Sequence, residues 1–398
     1  MIVNTRKVLI LFLAAVLLAV PLVGCSSDSG KEASEKPAET KEPYRIGAVL
    51  SETGTYAGLG APERNTLEME VAKINDAGGV NGHPIEIVFE DDATDPDTAV
   101  AATTRLIDKD GVIAIIGATG TGATMAMRQE IDRAGIPQLS PAGGTAVTAS
   151  FDPLVFQTPW SNSLVIPFEL AYIKKQGITK IGLISDSGGF GKDGAGVVKE
   201  QVGAAGITIV AEEAFNAGDT DMSAQLTKIK GAGAEAVLMV TAGKEAATIA
   251  KNMMDLGITV PLFGTHGNAR TEFIEGAGAG AEGFRFAAGK ILLPESYDSA
   301  SESYKVATEF VDTYSAQFDK APDTFAGHAY DALHIIVNAM MTLEEGFTSA
   351  ELRDAIEATD GFVGIGGVFT YSATNHNGMT EDDLVMYQVT DGKWVLAK

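Results

Sequence analysis

From Tyr44 onward the chain alternates short apolar runs with longer amphipathic stretches, and this alternation constrains the fold more than any other feature. Arg45–Leu50 (RIGAVL) predicts a strand. Pro62–Asp76 predicts a helix that stops at Gly78-Gly79, where positive φ costs little. Asn81-Gly82 marks a turn, and Ile85–Phe89 resumes the strand pattern. Pro96–Lys109 and Thr121–Ala134 read as helices, with Val112–Ile116 and Ile136–Leu139 as strands. A second series follows Phe156-Gln157-Thr158-Pro159, with helices expected at Ser163–Gln176, Gly191–Gly203, Asp221–Lys230 and Glu245–Leu256. Its strands are expected at Lys180–Ser185, Ile207–Ala211, Ala236–Val240 and Val260–Phe263. The tail adds helices at Tyr304–Phe318, Phe325–Leu343 and Ser349–Ala358, then a closing strand pair, Asp383–Val389 and Lys393–Leu396. Strands that alternate with helices imply right-handed βαβ units and parallel sheets covered on both faces. About 355 residues of this pattern exceed what one core usually supports, so the expected fold is α/β with two similar lobes.

Ligands of parallel sheets bind beyond the carboxyl ends of the strands. Six segments sit at such ends: Ser51–Tyr56 (SETGTY), Gly117–Thr121, Ser140–Thr145 (SPAGGT), Asp186–Phe190 (DSGGF), Thr241–Lys244 (TAGK) and Gly264–Gly267 (GTHG). The octet GATGTGAT at 117–124 is one residue away from the G-x-x-x-x-G-K-[ST] phosphate loop. Ala123 stands where that loop needs its lysine, and Met125 breaks any G-x-G-x-x-G. What remains is a glycine turn opening a helix, whose free N–H groups and positive dipole end suit a single carboxylate. SPAGGT has the same character and would form a second backbone wall, with the Thr145 hydroxyl beside it. Each turn read alone is equally a plain tight turn; together they suggest one cavity.

His266 is a lone histidine in a glycine-flanked loop, as compatible with a structural role as with ligand contact. Trp160 falls where the chain changes lobes, so it and Phe190 are candidates for the cleft as well as for the core. His83, His328, His334 and His376 show no metal-ligand spacing, and no metal or cofactor is expected. There is no G-x-S-x-G and no cysteine nucleophile, while Asp91-Asp92 looks set to brace a turn. Catalysis has little support, and an extracellular hydrolase would need a nucleophile that the sequence does not show.

The amino terminus reads as an export signal: Arg6 and Lys7, then the apolar run Val8–Val20, too short for a comfortable span. It ends in Leu22-Val23-Gly24-Cys25, which resembles the lipobox of bacterial lipoproteins and implies lipidation of Cys25. Cys25 is the only cysteine, so the mature fold has no intramolecular disulfide. Ser26–Pro43 holds no large apolar residue and should be a flexible tether reaching about 60 Å when extended. The formal net charge of −24 without basic clusters argues against nucleic acid and against adhesion to anionic lipid. The membrane is thus expected as a partner only through the lipid, with the fold working in water outside the cytoplasm.

Ile74–Asp92 (INDAGGVNGHPIEIVFEDD), GATGT, SPAGGT, Ser185–Gly191 (SDSGGFG) and His328–Leu333 (HAYDAL) occur in an order that resembles the type I periplasmic binding proteins. The group most similar is the leucine/isoleucine/valine-binding family that feeds ABC importers. The resemblance implies two Rossmann-like lobes joined by a three-strand hinge, one made of 44–161 with 290–366 and the other of 162–289 with 367–398. It follows a signal peptide at 1–24 and a lipidated tether at 25–43. It implies an amino-acid carboxylate bound at Thr121, with backbone contacts from Ala142, Gly143 and Gly144 and with Thr145 adjacent. Tyr56, Trp160, Phe190, Ala242 and His266 complete the implied ligand set, and an ABC permease is the implied partner. The chain departs from the family at two places: His266 stands where amino-acid binders carry an acid, and Leu59 where they usually carry an aromatic. A neighbouring subgroup with a similar histidine-glycine loop is similar to importers of aromatic carboxylates, which keeps a non-amino acid open as ligand. A ligand-sensing receptor module built on the same clamp is the other alternative.

Overall fold

The computed structural model describes residues 41–398. The expected signal peptide, Cys25 and the tether up to residue 40 lie outside the described residues. Strands β1 (Tyr44–Leu50), β2 (Ile85–Asp91), β3 (Ala114–Gly117), β4 (Gln138–Ser140) and β5 (Val155–Gln157) form a parallel sheet in the order β2-β1-β3-β4-β5. Helices α1 (Ala57–Asp76), α2 (Pro96–Arg105), α3 (Thr121–Ala134) and α4 (Ala146–Ala149) connect them. The order reverses direction beside β1, the arrangement that opens a crevice at the strands' carboxyl ends.

A second series supplies β6 (Lys180–Asp186), β7 (Thr208–Phe215), β8 (Ala236–Val240), β9 (Leu262–Phe263) and β10 (Arg285–Ala288). Its helices are α5 (Asn162–Lys175), α6 (Gly189–Gln201), α7 (Ser223–Gly231), α8 (Glu245–Asp255) and α9 (Thr271–Ala277). Helices α10 (Glu302–Phe318), α11 (Thr324–Met341) and α12 (Ser349–Glu357) follow, then the small hairpin β11 (Phe362–Val363) and β12 (Val368–Phe369). Strands β13 (Val385–Thr390) and β14 (Lys393–Leu396) return to the second sheet, giving β14-β13-β10-β9-β8-β6-β7. This sheet is parallel from β10 to β7 and antiparallel at β13 and β14, so the closing strand pair makes it mixed.

Every residue of β3 and of β8 is buried, as expected for strands covered on both faces. Helix α11 lies along α1 and so returns to the first lobe. The chain therefore passes between the lobes three times, near 158–161, 289–293 and 370–384. The passages are tied to one another. Asn377 Nδ2 donates to the Pro159 carbonyl at 2.7 Å, the Tyr371 hydroxyl donates to the Gln157 carbonyl at 3.1 Å, and the Tyr387 hydroxyl donates to the Gly289 carbonyl at 2.6 Å. Trp160 is wholly buried against Gly289, where a Cβ would fall 2.1 Å from the indole.

Two boundaries differ from the sequence reading for identifiable reasons. Helix α1 begins at Ala57 and carries Pro62 inside it, because its first turn is seated directly on the end of β1: a Cβ at Gly60 would lie 2.3 Å from the Ser51 carbonyl oxygen. The expected helix over Pro96–Lys109 ends as an α-helix at Arg105, then runs through one π turn, Leu106–Asp110, to Gly111 at φ 66°. Short elements also went unread: α4, β5, α9, β10 and the β11–β12 hairpin.

Candidate functional site

The expected strand-end turns converge where the two sheets face each other. Helix α3 starts at Thr121, one residue after Gly120, with no side-chain cap on its first N–H groups. Across from it the Ser140–Thr145 turn leaves β4. Gly144 N–H donates to Thr121 Oγ1 at 3.1 Å, so the two turns form one wall. From the second lobe, α6 begins at Gly189, whose Cβ would lie 2.5 Å from the backbone nitrogen of Gly122. His266 closes in from the loop after β9: its Nε2 would stand 2.1 Å from a Cβ at Gly143. Asp193 of α6 accepts from Thr145 N–H at 2.8 Å, Ala146 N–H at 2.9 Å and Asn162 Nδ2 at 2.8 Å. The contacts of Asp193 with Thr145 and Ala146, like those of Gly189 and His266, cross the cleft, which is shut.

Two contiguous compartments remain, sharing Tyr56 and Gly120 in their walls. The inner chamber, about 20 Å³, has room for about one water. Thr121, Gly143, Phe190, Ala242 and His266 line it, together with His328, Phe325 and Leu59. Ala142, Gly144, Thr145 and Trp160 line neither compartment in the shut cleft. The Ala142 carbonyl accepts from Gln157 Nε2 at 2.7 Å, while Gly144 and Thr145 spend their N–H groups on Thr121 and Asp193. Trp160 backs the chamber instead, edge-on to His266 at 6.4 Å and to His328 at 5.2 Å between ring centroids. The outer compartment, about 140 Å³, opens between Thr55 and Thr94 of the first lobe and Asp186, Thr241 and Glu245 of the second.

His328 is the residue that sequence reasoning missed. It sits on the second turn of α11, and only the three-fold passage of the chain brings that helix beside the Gly264–Gly267 loop. Beneath the chamber a buried relay fixes Thr119: its hydroxyl donates to Glu63, its Oγ1 accepts from Ser51 N–H at 3.0 Å, and Ser51 Oγ donates to Asp92 at 2.6 Å. Burial pushes the Glu63 carboxyl well above the usual range. Asp91 and Asp92 do brace turns, accepting from Thr53 and Ala93 and from Thr94 respectively.

Burial holds the His266 and His328 imidazoles at pKa values of about 3, opposed at His266 by the Gly143 backbone and reinforced at His328 by His266. Both rings are neutral in the shut cleft. A histidine with a depressed pKa stabilises that form above its free value near 6.5, and the contribution is lost as pH falls from about 6.5 toward 3. Ligand affinity is therefore expected to be flat above pH 7 and to weaken by up to about tenfold per histidine on going to pH 5.5. Calorimetric titration across this range checks it. His266→Gln should remove one of the two steps, and a flat profile to pH 5 would contradict the neutral pair.

Residues 43–393 match the periplasmic binding protein family. The chain is 27% identical over 352 residues to the Leu/Ile/Val-binding protein homolog 3 of Brucella melitensis, covering 88% of this chain and 92% of the relative. It is 27% identical over 290 residues to the leucine-, isoleucine-, valine-, threonine- and alanine-binding protein of Pseudomonas aeruginosa, covering 72% and 75%. Among solved structures, the branched-chain amino acid transporter substrate binding protein of Streptococcus pneumoniae in complex with isoleucine superposes with a TM-score of 0.79 at 29% identity, over 88% of this chain and 97% of that one. An extracellular ligand-binding receptor from Rhodopseudomonas palustris HaA2 gives 0.84 at 25% identity, over 89% and 99%. With two facing α/β lobes and a cleft walled by their strand-end turns, the chain belongs to the type I periplasmic binding protein family and is a solute-binding protein rather than an enzyme.

Proposed function

We propose that the chain is the extracytoplasmic solute-binding component of an ABC importer, held to the membrane by a lipid on Cys25. It captures a small carboxylate, a branched-chain or related amino acid, between its lobes and presents the shut form to the permease. Closure by hinge motion at the three passages exposes to the permease a shape that only the loaded form favours. The observation that carries this reading is Thr121 at the uncapped start of α3, lining the inner chamber beside Gly143 and joined to the Gly144 N–H in the same wall. Helix N–H groups and a hydroxyl together favour one negative charge there. The names of the relatives, and isoleucine in the Streptococcus pneumoniae structure, support an amino acid as that carboxylate.

A thermal-shift screen of the purified chain tests it. A ligand at 100 times its Kd adds about 2.7 kcal/mol to native stability, a shift of several degrees. Leucine, isoleucine or valine should stabilise the chain, and Thr121→Val should weaken the response by about tenfold or more, the loss of one hydrogen bond to a charged group. No response to any carboxylate would sink the reading. A second reading, an aromatic or other non-amino carboxylate, is favoured by the inner chamber itself. Phe190 stands edge-on to His266 at 5.4 Å and Phe325 to His328 at 5.9 Å, an apolar, uncharged setting for a ring. Stabilisation by benzoate-type acids alone would decide for it.

A further inference from the structure

Among the described residues the inner chamber is lined by no carboxylate, and its two imidazoles are neutral. An amine-bearing ligand finds no counter-charge there. The outer compartment is different: two buried carboxylates, Asp186 and Glu245, line it, 5% and 2% exposed, and among the described residues no cationic side chain does. Their situations are unequal. Glu245 Oε1 accepts from Gly218 N–H at 2.6 Å, and its charge is felt by the buried guanidinium of Arg270. Asp186 has no such cation beside it. Its Oδ1 accepts from Gly188 N–H at 2.8 Å, whereas Oδ2 is buried without a partner of hydrogen-bond geometry, though the Thr241 hydroxyl lies close by.

The Asp186 side chain is also held in place. A Cβ at Gly191 would fall 2.7 Å from Oδ1 and 2.3 Å from the Asp186 carbonyl oxygen, so α6 is seated directly on it. An unpartnered carboxylate oxygen in a fixed position, buried in a cavity, costs free energy until a donor meets it. The neighbouring Glu245 charge adds to that cost, and a cation placed between the two relieves both.

We propose that the outer compartment is a cation subsite in which Asp186 takes the protonated amine of a ligand whose carboxylate is held at Thr121. The inference rests on the carboxylate reading above. It moves the amine from the position of His266 to the mouth side of the cleft, past Tyr56, the residue shared by both compartments. The amine is either the α-ammonium of an amino acid or the terminal ammonium of a longer one, and the choice of probes separates the two.

Calorimetric titration of the purified chain with leucine, 5-aminopentanoate and the amine-free 4-methylpentanoate tests the proposal. Asp186→Asn, which keeps the Gly188 contact, should weaken whichever amine-bearing probe binds by at least about tenfold and leave 4-methylpentanoate unchanged. Loss with leucine assigns the α-ammonium; loss only with 5-aminopentanoate assigns the terminal one. Ala217→Lys, at an exposed position lining the compartment, supplies a tethered ammonium and should act in the same direction should Asp186→Asn fold poorly. Amine-bearing probes that bind equally well to wild type and both variants would overturn the subsite while leaving the carboxylate reading standing, as would binding of 4-methylpentanoate alone. Failure of all three probes on the wild-type chain while a benzoate-type acid still binds would likewise overturn the subsite alone, and failure of every carboxylate would remove both.

Discussion

Gly189→Ala is expected to weaken ligand binding by roughly 5- to 150-fold while leaving the unliganded protein as stable as before, or slightly more so. The two effects have opposite signs because they act on different states. Gly189 is the first residue of α6 and its φ is outside the left-handed region, so alanine fits the helix and improves its propensity by up to about 1 kcal/mol. In the shut cleft the added methyl would stand 2.5 Å from Gly122 N, 2.7 Å from Gly122 Cα and 3.3 Å from the Thr121 carbonyl carbon. All three are backbone atoms at the start of α3 and cannot rotate away. Forcing an extra carbon into such a contact costs about 1–3 kcal/mol, paid only when the lobes close. Titration calorimetry combined with thermal melts of the unliganded variant reads both. Unchanged affinity would mean that α3 and α6 do not meet in the bound form.

Asp193→Ala is expected to shorten the bound lifetime by about two to four orders of magnitude with little change in association rate. Asp193 is on α6 of the second lobe, yet it accepts from Thr145 and Ala146 N–H at the start of α4 in the first. Its third partner, Asn162 Nδ2, belongs to the start of α5 and remains available when the lobes separate. The cross-lobe bonds thus form only on closure, and each hydrogen bond to a charged group contributes about 1.5–3 kcal/mol. Asp193→Asn, which keeps one acceptor oxygen, should fall between wild type and alanine. Stopped-flow release kinetics distinguish this from a ligand contact: a residue acting through closure slows nothing on the way in. Equal release rates in all three proteins would exclude the clasp.

The parts of this molecule legible in the sequence were those set by local chemistry. Helix α3 was read to the residue because Gly120 precedes it and Gly135 follows it, and both ends are marked by backbone freedom rather than by distant packing. Strand β8 was read equally well, as an apolar run bounded by Glu235 and Thr241. Strand β10 was missed: only four residues long, it is held by pairing with β9 and β13, the latter about a hundred positions away. The site divides along the same line. Thr121, Gly143 and Phe190 announce themselves as strand-end or helix-start residues, and they do line the chamber. His328 lies in the middle of a helical pattern, and nothing within ten residues of it signals that α11 will back onto the Gly264–Gly267 loop. Conversely, Thr145 reads as a ligand hydroxyl locally, whereas in the fold its backbone N–H donates to Asp193 and its hydroxyl accepts from Ser161, partners visible only once the lobes are folded.

The placement of Trp160 gives the protein a built-in optical gauge. There are two tryptophans in the chain, and they occupy unlike surroundings: Trp394 packs on Phe286 in the outer strands of the second sheet, within one lobe, while Trp160 is wedged where the crossing segments meet, its plane steeply inclined to two imidazoles. Prising the lobes apart admits solvent dipoles to one indole and not to the other. The emission of the untouched chain, with Trp394 as a steady reference, therefore carries a record of how far the clamp stands ajar.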